Sequence, residues 1–134
     1  MTIAEVSKKY GLTADTLRYY EKIGLIPSVN RTSGGIRDYT EEDCRWVEFI
    51  KCMRSAGLSI DALIEYVTLF QQGDSTVQAR KDLLIEQRRQ LLQRMAEMQI
   101  TLDRLNYKID RYDEITHKIS KDLKTKEKIF SDQI

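Results

Sequence analysis

Apolar residues recur at every seventh position through the C-terminal half of the chain: Val77, Leu84, Leu91, Met98, Leu105, Tyr112 and Ile119. Met95, Leu102, Ile109 and Leu123 stand four residues after members of that series, and mostly Arg, Lys, Glu, Asp and Gln lie between them. A repeat of this length predicts one long helix with a coiled-coil seam, because a solitary helix cannot take such a stripe out of water. At ~1.5 Å per residue, Val77 to Ile119 would span roughly 60 Å. The simplest partner is a second copy. That makes a homodimer whose seam is Leu84, Leu91, Met95, Met98, Leu102, Leu105, Ile109 and Tyr112. Ile85 and Leu92 widen the apolar face in the first half only, so this half is expected also to touch the N-terminal part of the chain.

The N-terminal half follows shorter helical periods. Thr2-Ile3-Ala4-Glu5 has the capping-box pattern, and a first helix runs to about Lys9 with Ile3 and Val6 inward. Tyr10-Gly11 ends it, and Thr13 caps a second helix reaching about Lys22, with Leu17 and Ile23 as inward anchors. Gly24 stops that helix and Pro27 prevents its resumption. Ser28 to Tyr39 reads as loop and hairpin: Ser33-Gly34-Gly35 is a turn, and Ile36 to Tyr39 alternates as a short strand, giving a β-wing. Thr40 caps a third helix with an apolar stripe of Trp46, Phe49, Ile50 and Met53. Ser59 caps a fourth, with Ile60, Leu63, Ile64 and Val67 inward, and Gln71 to Asp74 is a break. The expected fold is mainly α with a small β-wing. A helix-turn-helix domain covers 1–73, a dimerisation helix 74–120 and a short lysine-rich tail 121–134.

Composition narrows the function classes. The 134 residues carry a net charge of only +1, so any nucleic-acid binding must rest on locally placed cations. No apolar run approaches the roughly 18 residues of a membrane span, and Met1 to Glu5 lacks the features of a signal peptide, so a cytosolic chain without membrane contact is expected. The two cysteines, Cys44 and Cys52, are then expected to be free thiols. No set of His, carboxylate and nucleophile converges and no phosphate-cradling glycine loop occurs, which argues against an enzyme. No cofactor is implied. His117 reads as a solvated face residue, and the tail has neither Cys nor His with which to hold a metal.

Local charge and aromatics gather around the second helix. In a helix-turn-helix the second helix enters the major groove of double-stranded DNA. Its candidate contacts are Thr13, Thr16, Arg18, Tyr19, Tyr20 and Lys22, and the wing adds Arg31, Arg37 and Tyr39. Guanidinium groups suit phosphate or guanine, and phenol hydroxyls are good phosphate donors. A structural role stands beside this for two of them: Tyr20 packing against the wing, and Arg37 pairing with Glu21.

Val6-Ser7, Thr16 to Glu21, Gly24-Leu25-Ile26-Pro27, Arg37-Asp38-Tyr39-Thr40 and Gly57-Leu58-Ser59 together resemble the MerR family of bacterial transcription regulators. The resemblance covers Thr2 to Val67 by motif and the rest by architecture. It implies a winged helix-turn-helix joined to an antiparallel dimerisation helix, and a dimer on promoter DNA. It also implies distortion of an overlong promoter spacer, through which RNA polymerase is served indirectly.

Cys44 and Cys52 are eight residues apart on one helix, ~12 Å along its axis, which excludes a disulfide between them while the helix persists. Neither fills that helix's apolar stripe, though another element could cover either. The setting Phe49-Ile50-Lys51-Cys52-Met53-Arg54 is similar to that of the aldehyde- and electrophile-responsive subgroup, which carries a lone cysteine there. That resemblance implies Cys52 as a sensor thiol. Local sequence gives it no activating cation, and a packing role remains open. Three functions therefore compete: a thiol-switched regulator, the same regulator with another small-molecule trigger, and a coiled-coil interaction protein.

Overall fold

The structure, a computed structural model, describes residues 1–121. Leu123 and the expected tail therefore fall outside the described residues. Among the described residues five α-helices form in chain order: α1 (Ile3–Tyr10), α2 (Ala14–Ile23), α3 (Glu41–Ser55), α4 (Ile60–Gln71) and α5 (Val77–Lys121), with a 3-10 turn at Asp74–Thr76.

The caps fall where short polar side chains precede the apolar periods. The Thr2 hydroxyl accepts from the Glu5 amide while the Glu5 carboxylate accepts from the Thr2 amide. The bond from the Thr2 amide and, after it, the nearby Thr2 hydroxyl hold the Glu5 carboxyl below its usual range. Thr13 accepts from the Thr16 amide and Ser59 from the Ala62 amide. Thr40 and Asp43 make a second reciprocal box. Each satisfies amides that have no partner within the first helical turn. α2 ends on Gly24, whose φ of 84° is a left-handed conformation that an L side chain resists.

The chain divides into two compact units, Met1–Leu91 and Leu92–Ile134. The core of the first is built on Val6, Leu17, Leu25, Ile26, Val47, Ile50, Leu63 and Val67, all fully enclosed. α3 buries more than its expected stripe. Cys44 and Val47 are enclosed as well as Trp46 and Ile50, because the start of the chain lies over the Cys44 side, with the Met1 sulfur 3.9 Å from the Cys44 sulfur. Trp46, Phe49, Tyr66 and Phe70 join α3 to α4 through edge and tilted ring contacts, Trp46 to Phe70 at 5.0 Å between centroids.

The break at Gly73 separates α4 from α5 but does not end the first unit. Arg80 on α5 donates to the Thr76 hydroxyl at 3.1 Å and lies over the Phe70 ring. Leu84, Gln87 and Leu91 line a small cavity together with Met53 and Leu58. Leu84 and Leu91 are thus half-buried against their own domain, whereas Ile85 and Leu92 remain exposed. This reverses the expected order of the two apolar rows: the expected seam row turns toward the core here and the widening row away from it. In the second unit, Met95, Met98, Leu102, Leu105, Ile109 and Tyr112 are exposed, Met98 most of all at 71%. Ile100 and Tyr107, outside the expected seam, are exposed too.

The expected β-wing is not confirmed as strands. Between α2 and α3 only one antiparallel bridge forms, Arg31 with Arg37, and no strand is found among the described residues. The reason lies in where the backbone donors go. The Asp38 amide donates across to the Asn30 carbonyl at 2.8 Å beside the bridge, but the next cross-strand donor, the Thr40 amide, is spent on the Asp43 carboxylate, so the pairing goes no further. The turn itself is closed by the Gly35 amide on the Thr32 carbonyl at 2.9 Å and the Thr32 amide on the Ile36 carbonyl at 2.7 Å. It is a hairpin loop, not a two-stranded ribbon.

Candidate nucleic-acid interface

Helix α2 and the hairpin loop together hold the cations and hydroxyls picked out from the sequence. The Thr13 cap at the start of α2 is exposed, and its hydroxyl lies 2.9 Å from that of Thr16. Arg18 and Lys22 are exposed on the same helix, and Tyr19 is 48% exposed. Arg18 donates to Asp15 at 2.9 Å, an exposed pair worth little and free to exchange for a phosphate. This partner was readable in principle, since the two residues are three apart on one helix.

In the loop, Arg31 is exposed and donates to the Gly35 carbonyl at 3.0 Å. Arg37 is mostly buried, with only 21% of its side chain exposed, and its Nε donates to Glu21 Oε1 at 2.7 Å. The structural alternative for Arg37 is therefore realised. Glu21 also accepts from the Val29 amide through Oε2 at 3.1 Å. That second bond gave no signal in the sequence, because it joins a helix side chain to a loop amide eight residues on.

Two of the expected contacts lie beneath the surface. Tyr20 and Tyr39 are core residues, at 8% and 2% exposure. Tyr20 lies on the α2 face shared with Leu17, which packs inward. Tyr39 sits where the loop meets α3, and among the described residues its hydroxyl has no hydrogen-bond partner. Burial raises the titration of both phenols above the usual tyrosine range, with Arg54 opposing the shift at Tyr20 and Arg37 at Tyr39. They shape the surface rather than lie on it. The exposed candidates that remain are Thr13, Arg18, Tyr19, Lys22 and Arg31, with Thr16 and Arg37 partly covered.

The cysteines differ sharply. Cys44 is buried and Cys52 is exposed. Cys52 lies in the C-terminal half of α3, where its carbonyl accepts from the Ser55 hydroxyl and the Ala56 amide. Among the described residues its sulfur makes no hydrogen bond, and no cluster of three or more His, Cys, Asp or Glu could hold a metal ion. No described helix is long and apolar enough to cross a membrane.

A capped two-helix unit with an exposed basic second helix, followed by a long helix, defines a helix-turn-helix DNA-binding regulator. The family model described as MerR HTH family regulatory protein matches residues 1–69, and that described as MerR, DNA binding matches residues 44–107. The HTH-type transcriptional regulator AdhR of Bacillus subtilis is 64% identical over 93 residues, which is 69% of this chain and 66% of AdhR. The chain thus matches just under two thirds of that relative's length. A solved structure of a MerR family transcriptional regulator from Listeria monocytogenes is 49% identical, with a TM-score of 0.88, covering 92% of this chain and 94% of that one. HiNmlR, a MerR family regulator lacking the sensor domain and solved bound to promoter DNA, is 32% identical with a TM-score of 0.78, covering 87% and 92%. The chain belongs to the MerR family and is a DNA-binding transcriptional regulator, not an enzyme. The reading as a bare coiled-coil interaction protein falls with that result.

Proposed function

We propose that the protein is a homodimeric regulator that distorts promoter DNA, serves RNA polymerase indirectly, and is switched by modification of Cys52 with reactive aldehydes or related electrophiles. The observation that carries the switch is the contrast on α3: one thiol is enclosed, and the other is open to solvent. Only Cys52 can meet a solute without unfolding. Its thiolate adds to the carbonyl carbon of an aldehyde, the C–S bond forms, the π pair moves to oxygen, and that oxygen takes up a proton. The product is a hemithioacetal and no group leaves. The aldehyde class itself rests on the resemblance of the Cys52 setting to the electrophile-responsive subgroup.

Dimerisation is supported by the apolar row from Met95 to Tyr112, which is exposed in a single chain. DNA contact is assigned to Thr13, Thr16, Arg18, Tyr19, Lys22, Arg31 and Arg37, with Tyr20 and Tyr39 holding the surface that carries them. HiNmlR, solved on promoter DNA without a sensor domain, supports a reading in which the signal enters through the DNA-binding unit or the dimer. The test is transcription from a cognate promoter with and without methylglyoxal. Cys52→Ser should bind the promoter as the parent does and lose the response. A normal response from that variant ends the thiol-switch reading.

One observation favours a second trigger. A groove of about 450 Å³ lies among Tyr66, Val77, Arg80, Lys81, Leu84, Ile85 and Arg88, large enough for a small ligand. In that reading the cysteines are structural and an apolar effector binds there. Methylglyoxal-independent induction that Ile85→Trp abolishes and Cys52→Ser does not would select it.

A further inference from the structure

From the geometry we infer that Glu21 is a positioning residue: its carboxylate fixes the hairpin loop to α2 and orients the Arg37 guanidinium for DNA. The inference rests on the loop reaching DNA, as proposed above.

A hairpin with a single bridge cannot set its own angle. The loop has one Arg31–Arg37 bridge, with the Asp38 amide on the Asn30 carbonyl beside it, and a closed turn, and among the described residues no backbone bond ties it to α2. Glu21 supplies that tie with both oxygens. Oε2 takes the Val29 amide on the entering arm, and Oε1 takes Arg37 Nε on the leaving arm. One carboxylate therefore reaches both arms, eight and sixteen residues away in sequence. Its side chain is 13% exposed, so water competes poorly for either bond.

The chemistry of the Arg37 bond matters more than its existence. Nε is the inner nitrogen of the guanidinium, and occupying it leaves the outer nitrogens to donate elsewhere. Among the described residues these outer nitrogens have no partner. A guanidinium held by Nε presents a fixed fork, the geometry that suits two oxygens of one phosphate. Glu21 also offsets the positive charge of Arg37. The loop then contributes direction without adding a full unit of non-specific attraction. Glu21 thereby favours a shaped operator over arbitrary DNA, in a chain whose net charge of +1 supplies little global attraction.

The test compares two duplexes of equal length: one selected from a random pool by the parent protein, and one scrambled. Binding of the dimer is measured across a salt series well below the melting temperature. Glu21→Gln retains an oxygen for the Val29 amide but removes the charge. It should lower the preference for the selected duplex about tenfold. It should also steepen the slope of log K against log salt by about 0.9, as an uncompensated Arg37 meets phosphate. Arg37→Lys keeps the charge but loses the fork, and should lower the preference with the slope unchanged. A purely structural Glu21 would shift the melting temperature alone. Parental preference and slope in Glu21→Gln, or parental preference in Arg37→Lys, overturns the orienting role. Arg37→Ala separates this failure from that of the loop itself: parental affinity there would take the loop off DNA altogether.

Discussion

The sulfur of Cys44 lies 3.9 Å from the sulfur of Met1, closed within the core, while the second thiol of the same helix faces solvent. Two substitutions of the same kind should therefore behave differently. Cys44→Ser places a hydroxyl in an apolar site and should cost about 1–3 kcal/mol of stability. Cys52→Ser should stay within about 0.5 kcal/mol of the parent, as exposed substitutions do. Urea titration of both variants, followed by helical circular dichroism, measures the contrast. Equal losses would remove the structural difference on which the thiol reading is built.

Tyr39 carries a buried hydroxyl that has no partner among the described residues. Removing it in Tyr39→Phe should leave stability unchanged or raise it by about 1 kcal/mol, since the group bears a desolvation cost with no bond in return. Operator affinity should not change, because the hydroxyl does not reach the surface. A tenfold loss of binding at parental stability would restore Tyr39 as a direct contact.

Both buried phenols also set an alkaline limit. Their folded titration is raised above the ordinary range by burial, so the folded state holds these protons more tightly than the unfolded one. Stability from this source is fully present below the unfolded pKa, near 10, and is lost as pH rises through the higher folded value. Resistance to chemical unfolding should fall progressively above about pH 10, and less steeply in Tyr39→Phe. A parental slope in that variant would place the alkaline sensitivity elsewhere.

Arg18 is exposed and pairs with the neighbouring Asp15. Arg18→Ala should weaken operator binding and flatten its salt dependence by about 0.9 in slope, one phosphate's worth of released counterion. Melting temperature should barely move. Fluorescence anisotropy across a salt series checks this, and an unchanged affinity and slope would take Arg18 out of the interface.

The exposed row on the second unit tests the dimer. Leu102→Asp and Leu105→Asp together should shift the protein to monomer at micromolar concentration and abolish promoter binding. The isolated first unit keeps its own core and should still melt cooperatively. Sedimentation velocity decides this: a double variant that remains dimeric would place the interface elsewhere on the chain.

The helices were legible because they obey local rules. Thr2, Thr13, Thr40 and Ser59 stand at their caps, and Gly11 and Gly24 adopt the left-handed backbone expected of helix ends. The long apolar heptads gave α5 as a single helix. What could not be read depends on contacts between distant segments. Tyr20 and Tyr39 look like surface phenols in a basic cluster, and only the packed core reveals them as buried. The wing carries a strand-like alternation, yet its pairing stops at one bridge, where the Thr40 amide turns to Asp43. Leu84 and Ile85 are adjacent, and a heptad does not say which will face Met53 and Leu58. Cys44 falls off the stripe of its own helix and is covered by Met1, more than forty residues away in sequence. Period reveals a helix and its apolar face; it does not reveal a second face covered by the chain's other end.

In the proposed switch one thiol of the native protein reads the signal. The most direct measurement is intact-mass spectrometry with peptide mapping after brief exposure of the native protein to a low dose of methylglyoxal. Fast modification of Cys52, ahead of Cys44 and of the lysines, is the result this account predicts. Equal or negligible modification of the two thiols would contradict it, and would leave a DNA-binding regulator whose trigger lies in a bound ligand instead.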